Sequence, residues 1–463
     1  MRKKILFLFL VLAGLKMAGE TPNYSALMIE SHGREWSAEK PWDYVSGLVA
    51  KTILMYCQQY PEDELSGEGY EWCKTYADNA IDEEGKFYNF KKGSLDNIAS
   101  GKVLIDLYTQ EVLDNKEEAE RYQGAAEYLY HYLRYDYTRI TLNEGKDGFI
   151  HKDSYPYQMW LDGLYMGAAF YAEYLATFAP DDNEGWSDIA LQFRTIHEHT
   201  YDPETSLNYH GWSANPGDMN SFWANKNDPY KGCSSEFWGR GMGWYAAALV
   251  DVLALMPKQH PDYVAIEEIF HQVADGILRW QDEDSGVWYQ LLQYDDSFVS
   301  QRGNHNYLEA SASSMFTYAL FKGMRLGLLD SSKVGYAALK AYEGLLDTFI
   351  SEKSDGIDIN NICRSAGLGP FYNLERNGSA DYYLDGSDVN IVSNEGKGIG
   401  SFIMASLEYE KYTTASIPSL SSDNAALTAP LIFDLQGRRL EKTPKGLYIE
   451  VRDGKATKRL NRD

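Results

Sequence analysis

The chain is poor in cysteine, in basic charge and in long apolar segments. Only four of its 463 residues are cysteine and no C-x-x-C pair occurs, which argues against a disulfide framework. Lys and Arg number 43 against 68 Asp and Glu, for a formal net charge of −25. Because nucleic acids and anionic membranes bind basic surfaces, this acidity argues against either as the main partner. Cys57 and Cys73 flank a predicted turn and are compatible with either a disulfide or two buried thiols.

Several common catalytic motifs are also missing. The sequence contains no G-x-x-x-x-G-K-[ST], no H-E-x-x-H and no G-x-S-x-G, the motifs of phosphate-binding loops, zinc proteases and serine hydrolases. The strings GRGMG and GKGIG follow no predicted strand, so we interpret them as small residues that let helices pack closely. His197 and His199 are two residues apart and do not share a helix face. We therefore predict neither a metal site nor a cofactor.

The one long apolar run lies at the N-terminus. Residues 5–15 are apolar, follow the basic start MRKK and precede the small residues Ala18 and Gly19. The run is shorter than the ~20 residues of a transmembrane helix, and its flanks are typical of an export signal. We predict a signal peptide at residues 1–19, with an uncleaved signal anchor as the alternative. The mature protein is then expected to be exported, periplasmic or extracellular, with no membrane span.

The body of the chain is helical by pattern. Apolar residues recur at three- and four-residue spacing in twelve segments, at roughly 24–33, 38–59, 67–80, 94–111, 116–134, 158–178, 184–198, 236–255, 261–281, 306–326, 331–349 and 396–412. Five of them open on a polar or aromatic residue and become almost wholly apolar after small residues; their openings are marked by Asp96, Asp162, Trp238, Glu309 and Glu395. We predict an all-α array of hairpins over residues 20–412, with buried inner and polar outer helices. Periodicity leaves open whether the array closes into a toroid.

The C-terminal region differs in composition from the helical body. Residues 413–430 are of low complexity, as is typical of a linker, and residues 431–463 alternate like short strands joined by a turn. We predict a small β-like tail there. Its strings DLQGRR, KGLYI and GK resemble the C-terminal tails of exported Bacteroidetes proteins, some of which are sorting signals.

Two aspartates stand where predicted inner helices begin. Asp162 lies in the apolar and aromatic stretch MWLDGLYM, where burial is expected to raise the pKa of its carboxyl group and make it a general acid near neutral pH. Asp96 has a similar place in SLDNIAS. The alternative for both residues is a helix N-cap, a position that favours Asp.

Cationic and aromatic residues occupy equivalent places in the chain. Trp238, Arg240 and Trp244 open another inner helix, and an arginine fork beside indole faces suits a sugar carboxylate; core packing with a cation–π pair is the alternative. Neighbouring loops hold three further candidates: His151, Lys152 and His210. For His151 and Lys152, a plain surface loop is the alternative. In a toroid these helix ends meet at one mouth, as a pocket with convergent polar groups requires.

These blocks resemble glycoside hydrolase family 105, the unsaturated rhamnogalacturonyl hydrolases. The resemblance runs from about Tyr24 to Tyr412 and is carried, in order, by HKDSYPYQMWLDGLYMGAAFYAEY, EFWGRGMGWYAAALVDVL, NYLEASASSMFTYALFKGMRLG, AGLGPFYNLERNGSADYYL and NEGKGIGSF. It implies an (α/α)6 barrel, in agreement with the twelve segments. It also implies removal of a 4,5-unsaturated uronic acid from the non-reducing end of oligosaccharides that polysaccharide lyases leave.

The same resemblance implies hydration of a double bond rather than attack at the anomeric carbon. An acid protonates C4 of the enol ether while water is delivered to C5, so the usual relation between carboxylate separation and stereochemistry does not apply. By resemblance, Asp162 is that acid, and Asp96 helps to keep it protonated through like-charge repulsion. Arg240 binds the uronate carboxylate, with Trp238 and Trp244 around the sugar. Further substrate contacts are implied for His151, Lys152 and His210.

We therefore expect an exported enzyme that acts late in the breakdown of rhamnogalacturonan, a pectin, and releases rhamnose. Two other substrates remain open: unsaturated glucuronyl–rhamnose units of ulvan, and unsaturated glycosaminoglycan fragments. A toroid that binds oligosaccharides without catalysis is the alternative from a different class.

Overall fold

All twelve predicted segments contain helix, and the all-α class is confirmed. The computed structural model describes residues 23–141, 148–416, 431–433, 439–440, 442, 446–452 and 455–461. The α-helices are α1 (Tyr24–Met28), α2 (Arg34–Ala38), α3 (Tyr44–Gln59), α4 (Glu64–Asp78), α5 (Asp96–Ala99), α6 (Gly101–Glu111), α7 (Lys116–His131), α8 (Leu161–Gly163), α9 (Ala169–Phe178), α10 (Asn183–Thr200), α11 (Gly239–Leu255), α12 (Tyr263–Arg279), α13 (Ala310–Arg325), α14 (Ser331–Phe349), α15 (Ala380–Asp385) and α16 (Gly396–Ser416). π-Helical turns at Ile29–Gly33 and Leu164–Ala168 join α1 to α2 and α8 to α9, and a third, Tyr132–Asp136, extends α7.

Burial separates the helices into an inner and an outer set. Nearly every residue of α11 and α13 is buried, whereas α12 buries one face, made of Tyr263, Ile266, Ile269, Phe270, Val273, Ala274, Gly276 and Ile277. The first pattern is typical of a helix packed on all sides, and the second of a helix with one face on the core. The inner set is α3, α6, α9, α11, α13 and α16; the outer positions are held by α1–α2, α4, α7, α10, α12 and α14.

The ring of inner helices closes between α3 and α16. Gly400 of α16 lies against Leu48 of α3, where an added Cβ would stand 2.6 Å from the leucine side chain. Before α3, the Ser25 hydroxyl donates to the Glu410 carboxylate at 2.9 Å. The last helix therefore packs on the first, and the array is a closed toroid, the (α/α)6 barrel.

Small residues bring the inner helices close together. A Cβ added to Gly47 of α3 would stand 2.9 Å from the Cα of Ser100, which lies between α5 and α6. A Cβ added to Gly243 of α11 would stand 2.9 Å from Met315 Sδ of α13. Real Cβ atoms do not approach other atoms so closely, so these glycines set the helix spacing. The GRGMG string, which ends at Gly243, thus serves helix packing.

Short antiparallel strand pairs lie between the helices. They are β1 (Gln158–Trp160) with β4 (Gly211–Ser213), β2 (Tyr201–Asp202) with β3 (Leu207–Asn208), β5 (Ile350–Lys353) with β6 (Gly356–Ile359), and β7 (Ile362–Cys363) with β8 (Ile391–Val392). Sequence periodicity predicted none of them, because strands of two to four residues are too short to show alternation. The six-residue helix α15 went unpredicted for the same reason.

The C-terminal strands belong to a compact unit other than residues Tyr24–Tyr412. They are β9 (Leu431–Phe433), β10 (Arg439–Leu440), β11 (Gly446–Arg452) and β12 (Lys455–Asn461), and they form an antiparallel sheet in the order β10-β9-β11-β12. The predicted signal peptide at 1–19 lies outside the described residues, as does most of the predicted linker at 413–430. In the part of the chain that the structure describes, no helix combines the length and the apolar character needed to cross a bilayer.

All four cysteines are buried free thiols. The Cys57 thiol lies 3.3 Å from the Ser66 carbonyl, and the Cys73 thiol lies 3.2 Å from the Ala50 carbonyl. Burial raises the pKa of Cys57 to about 11, so its thiol stays protonated at neutral pH. Cys57 and Cys73 are therefore two buried thiols and not a disulfide in this structure.

Gly47→Ala is expected to lower the free energy of unfolding by about 1–3 kcal/mol, because the added methyl group overlaps Ser100 in a tight contact. The matched control is Gly124→Ala in α7, where nothing lies within 4 Å of the Cβ position. This control is expected to raise stability by about 0.5–1 kcal/mol through helix propensity. Urea unfolding measures both values, and equal midpoints for the two variants would contradict the close helix approach.

Candidate active site

One end of the barrel collects polar residues from distant parts of the chain. The β1–β4 pair sets Trp160 opposite Gly211, and the Leu161 N–H donates to the His210 carbonyl at 3.0 Å. This pairing holds the His210 loop against the first turn of α8. Asp96, Asp162 and Arg240 lie in the first turns of α5, α8 and α11. The short helices α5 and α8 lead into the inner helices α6 and α9.

Asp162 is the second residue of α8, and 9% of it is exposed. Trp160 is the N-cap of α8 and no side chain caps this helix, so Asp162 is not an N-cap. Asp162 Oδ2 lies 3.0 Å from His210 Nε2, and His210 Nδ1 lies 2.6 Å from the Tyr383 hydroxyl. With Nε2 protonated, the imidazole donates to Asp162 and accepts from Tyr383, and the three side chains form one hydrogen-bonded chain.

Opposing effects act on the pKa of Asp162. Burial raises it, but the charge and hydrogen bond of His210, together with the nearby His151, lower it, and the resulting pKa lies below the ordinary 3.8. The expectation of a raised pKa considered only the apolar neighbours in the sequence and is wrong, because His210 is 48 residues away along the chain. Asp162 is therefore an ionised carboxylate at neutral pH unless another negative charge approaches it.

Asp96 is the first residue of α5 and lies beside a lysine and an imidazole. Lys152 Nζ is 2.5 Å from Asp96 Oδ2, and His151 Nε2 is 3.6 Å from Asp96 Oδ1. The backbone brings them together, since the Leu95 N–H donates to the His151 carbonyl at 3.2 Å. No side chain caps α5, so Asp96 is not an N-cap either. Its charge is neutralised by Lys152.

His151 is buried in an aromatic stack rather than exposed on a surface loop. Its ring lies 4.3 Å from Trp160, with the planes at 14°, and Tyr155 stacks on the same indole at 4.8 Å. Burial lowers the pKa of His151 to about 4, although Asp96 opposes this. Its buried Nδ1 has no hydrogen-bond partner among the described residues and faces Gly163, at a cavity of about 10 Å³ that has room for one water molecule. Nε2 is the ring nitrogen on the side of Asp96.

Arg240 is 2% exposed and is held from several sides. Its Nη1 donates to the Cys363 carbonyl and lies 3.9 Å from Glu309 Oε1. The guanidinium carbon lies 4.7 Å from the centroid of the Trp238 ring, so the cation–π pair is present. Arg240 Nε is buried without a partner among the described residues, which leaves the guanidinium with capacity for an anion.

Glu309 is a buried carboxylate that the sequence marked only as a helix opening. It is the N-cap of α13 and accepts from the Ala312 N–H at 2.7 Å and from the Cys363 N–H at 2.9 Å. The Ser311 hydroxyl lies 2.9 Å from both of its oxygens. Glu309 thereby fixes β7, whose Cys363 carbonyl holds Arg240.

Trp244 lies deeper in α11 and is surrounded by aromatic rings of other inner helices. Its ring lies 4.7 Å from Tyr165 and 6.4 Å from Tyr44, the first residue of α3. Burial, followed by the charge of Asp96, raises the pKa of Tyr44, which keeps its hydroxyl protonated. On α16, Lys397 lies 5.8 Å from the Tyr44 ring and pairs with Glu395.

Sequence reasoning missed several residues of this end of the barrel: Tyr44, Glu309, Tyr383 and Lys397. Glu309 opens one of the predicted inner helices. That position indicates the helical repeat but does not by itself indicate a residue of the active site. Tyr383 lies in the ADYYL string of one family block, but nothing there indicates a contact with His210. Among the described residues, no group of three or more His, Cys, Asp or Glu side chains is placed to hold a metal ion.

Comparison with known proteins gives one consistent family. Residues 19–413 match the family described as Glycosyl Hydrolase Family 88. A solved family 105 glycoside hydrolase of C. acetobutylicum ATCC 824 is 36% identical, with a TM-score of 0.72, over 84% of this chain and 100% of that chain. An unsaturated rhamnogalacturonyl hydrolase of Bacillus subtilis is 26% identical over 313 residues, 67% of this chain and 79% of its own. An unsaturated 3S-rhamnoglycuronyl hydrolase of Formosa agariphila is 30% identical over 153 residues, 33% of this chain and 38% of its own.

The buried neutral His151 is expected to make the protein less stable in acid. Its pKa is about 4 in the folded protein and about 6.5 in an unfolded chain, so between these values the unfolded chain binds more protons. The contribution of His151 to the free energy of unfolding is then complete above about pH 6.5 and falls by up to about 3 kcal/mol toward pH 4. Urea unfolding across this window measures the loss. The His151→Gln variant should not show this loss of unfolding free energy. An identical pH dependence in both proteins would contradict the burial of a neutral imidazole.

Proposed function

The chain belongs to Glycosyl Hydrolase Family 88 and to family 105, and from this membership we propose which bond it breaks and with which residues. It is a glycoside hydrolase of the unsaturated glycuronyl and rhamnogalacturonyl hydrolase group. In our proposal it hydrates the 4,5 double bond of an unsaturated galacturonosyl residue at the non-reducing end of rhamnogalacturonan lyase products and releases rhamnose. The observation that carries the proposal is the chain Tyr383–His210–Asp162, which ends on a buried carboxylate at the mouth of the barrel.

Asp162 is the acid and the base of the proposed reaction. Protonated Asp162 gives its proton to C4 of the enol ether, and the positive charge that develops at C5 is shared with the ring oxygen. Water adds to C5, and its proton returns to Asp162. The hemiketal at C5 then opens, and C1 releases the next sugar. One water molecule is consumed, and Asp162 ends in the protonation state in which it began.

Asp162 needs a proton before it can act, although its pKa is low in the structure. A uronate carboxylate brings a negative charge into the site, and a like charge raises the pKa of an acid. Asp96 contributes less to this effect than the family resemblance implies, since Lys152 neutralises it and the main electrostatic influences on Asp162 come from His210 and His151. In our proposal the substrate itself favours the protonated form of the acid that attacks it.

Arg240 is the proposed partner of the uronate carboxylate, with Trp238 and Trp244 beside the sugar ring. Its buried Nε–H is unpaired among the described residues, and a charge-assisted hydrogen bond in a dry site is strong. Three further residues keep their proposed role as substrate contacts: His151, Lys152 and His210.

A second substrate is favoured by the relative of Formosa agariphila, which is named as an unsaturated 3S-rhamnoglycuronyl hydrolase. Glucuronic and galacturonic acid differ in configuration only at C4, and the 4,5 double bond removes that difference. The pocket around Asp162 therefore meets the same unsaturated sugar in both cases. Specificity between pectin and ulvan fragments then depends on the leaving sugar and its linkage.

We also propose that the enzyme works outside the cytoplasm. Residues 1–19 have the pattern of an export signal, and the tail at 431–463 is a candidate sorting signal. Expression with and without residues 1–19, followed by cell fractionation, distinguishes export from retention.

The direct test uses rhamnogalacturonan digested by a lyase, because the unsaturated uronate absorbs ultraviolet light. We expect the wild-type protein to remove this absorbance and to release one rhamnose for each uronate that it hydrates. Asp162→Asn should lose turnover by about 10²–10⁴-fold and keep its fold and its ligand binding. The matched control is Asp275→Asn, an exposed position on outer helix α12, which should retain full activity.

Each other outcome of this test has a definite meaning. Loss of absorbance with ulvan or glycosaminoglycan fragments alone would keep the mechanism and change the substrate. Full turnover by Asp162→Asn would exclude Asp162 as the acid. Binding of unsaturated oligosaccharides without turnover of any of them would favour the non-catalytic toroid.

Arg240→Ala is expected to raise KM for the charged substrate, because a desolvated ion pair worth about 2–5 kcal/mol is lost. Arg240→Lys keeps the charge without the planar fork and should recover part of the loss. The control is Arg194→Ala, which breaks an ion pair with Asp262 on the outer helices and should leave KM unchanged. An unchanged KM in a folded Arg240→Ala protein would remove Arg240 from the carboxylate site.

A further inference from the structure

Exposed apolar side chains cluster on three loops beside the candidate active site. They extend from the loops around residues 153–158, 214–223 and 366–376, with between 44% and 72% of each residue exposed. We call them the rim surface: Tyr157, Met219, Phe371, Tyr372 and Leu374. Exposed apolar residues in such a concentration mark binding sites more often than scattered ones do.

Hydrogen bonds link the three loops to one another. Gln158 Nε2 donates to the Asn220 carbonyl at 2.9 Å, and the Phe371 N–H donates to Asn220 Oδ1 at 3.3 Å. The Ala214 N–H donates to the Tyr157 carbonyl at 2.9 Å. The rim surface therefore stands on loops that hold each other in place.

A buried aromatic cluster connects the rim surface to the site. The cluster consists of Tyr155, Trp160, Trp223, Ala224 and Leu368. Trp160 stacks on His151 at 4.3 Å and lies 5.4 Å from the His210 ring. On its other side, a Cβ added to Gly367 would stand 3.2 Å from the indole, so the loop that carries Phe371 and Tyr372 packs on Trp160. One indole thus contacts both the loop of the rim surface and the two histidines near Asp162.

Tyr157 has a backbone conformation that bulky residues avoid. Its φ is +67°, in the left-handed region, where a tyrosine is rare. The next three residues, Gln158, Met159 and Trp160, are buried, while Tyr157 is exposed. Strained backbone persists where the surroundings enforce it, often at ligand clamps. The His151 N–H donates to the Gln158 carbonyl at 2.9 Å, so the exposed Tyr157 ring lies next to the His151–Lys152 segment.

We propose that the rim surface binds the sugars that follow the leaving sugar, so that the enzyme prefers longer unsaturated oligosaccharides to disaccharides. The inference rests on the proposed function and specifies its substrate class by chain length. Flat aromatic faces suit the apolar faces of sugar rings. Uronate-containing chains are anions and gain little attraction from a protein of net charge −25, so uncharged stacking is the contact available to the distal sugars. The loop that carries Phe371 and Tyr372 and the His151 ring contact the same Trp160 side chain, so the occupant that we propose is the remainder of the same substrate.

The test compares kcat/KM for an unsaturated disaccharide and an unsaturated hexasaccharide from the same lyase digest. We expect the wild-type protein to prefer the hexasaccharide by about tenfold. Tyr372→Ala and Phe371→Ala should remove most of this preference and leave the disaccharide value within about twofold of wild type. Both side chains are exposed, and thermal unfolding confirms that the variants are folded. The matched control is Tyr336→Ala on outer helix α14, where the ring is 78% exposed and the preference should persist.

The outcomes separate this inference from the proposed function. Turnover of the disaccharide without any preference for length would overturn the rim surface as a sugar site and leave the proposed function intact. Absence of turnover on both substrates would overturn both proposals. A change of oligomeric state in Tyr372→Ala, with the length preference unchanged, would assign the rim surface to a second copy of the chain instead.

Discussion

Close approach of the inner helices is the constraint on which the rest of the structure depends. Where Gly47 meets Ser100 and Gly243 meets Met315, one added methyl group has no room, so the ring is tight and the helix N-termini meet at one end. The partial positive charge of helix N-termini favours anions. A uronate therefore finds a favourable local field at this end, although the chain as a whole carries a net charge of −25 and repels it. Arg240 adds a full charge to the same place.

The partner of each buried carboxylate decides what that carboxylate can do. Asp96 lies against Lys152, and Glu309 accepts from the Ala312 and Cys363 N–H groups and lies near Arg240. Pairing of this kind offsets the cost of burying charge. Asp162 differs because its partner is the His210 imidazole and not a lysine or an arginine. In our proposal, the pKa of its carboxyl group rises when a charged substrate arrives.

Local patterns made the barrel predictable, and long-range contacts limited the prediction of the site. The spacing of Ile266, Ile269, Phe270 and Val273 is enough to define a helix with one buried face, and the same holds for each of the twelve segments. The helix openings pointed to Asp96, Asp162 and Arg240 because polar residues there interrupt small and apolar ones. The contact of Tyr383 with His210 spans 173 residues, and the direction of the Asp162 pKa shift depends on that same histidine. No local signal encodes either, and strands as short as β1 and β4 leave no periodicity to recognise.

Closure of the ring also affects how the protein folds. The bond between Ser25 and Glu410 joins positions 385 residues apart, and folding slows as contacts become more distant in sequence. Until α16 docks, Leu48 on α3 is uncovered, and the pocket lacks Lys397. A chain in this state exposes apolar faces, through which incompletely folded proteins aggregate. The barrel is therefore complete only when the last helix packs on the first.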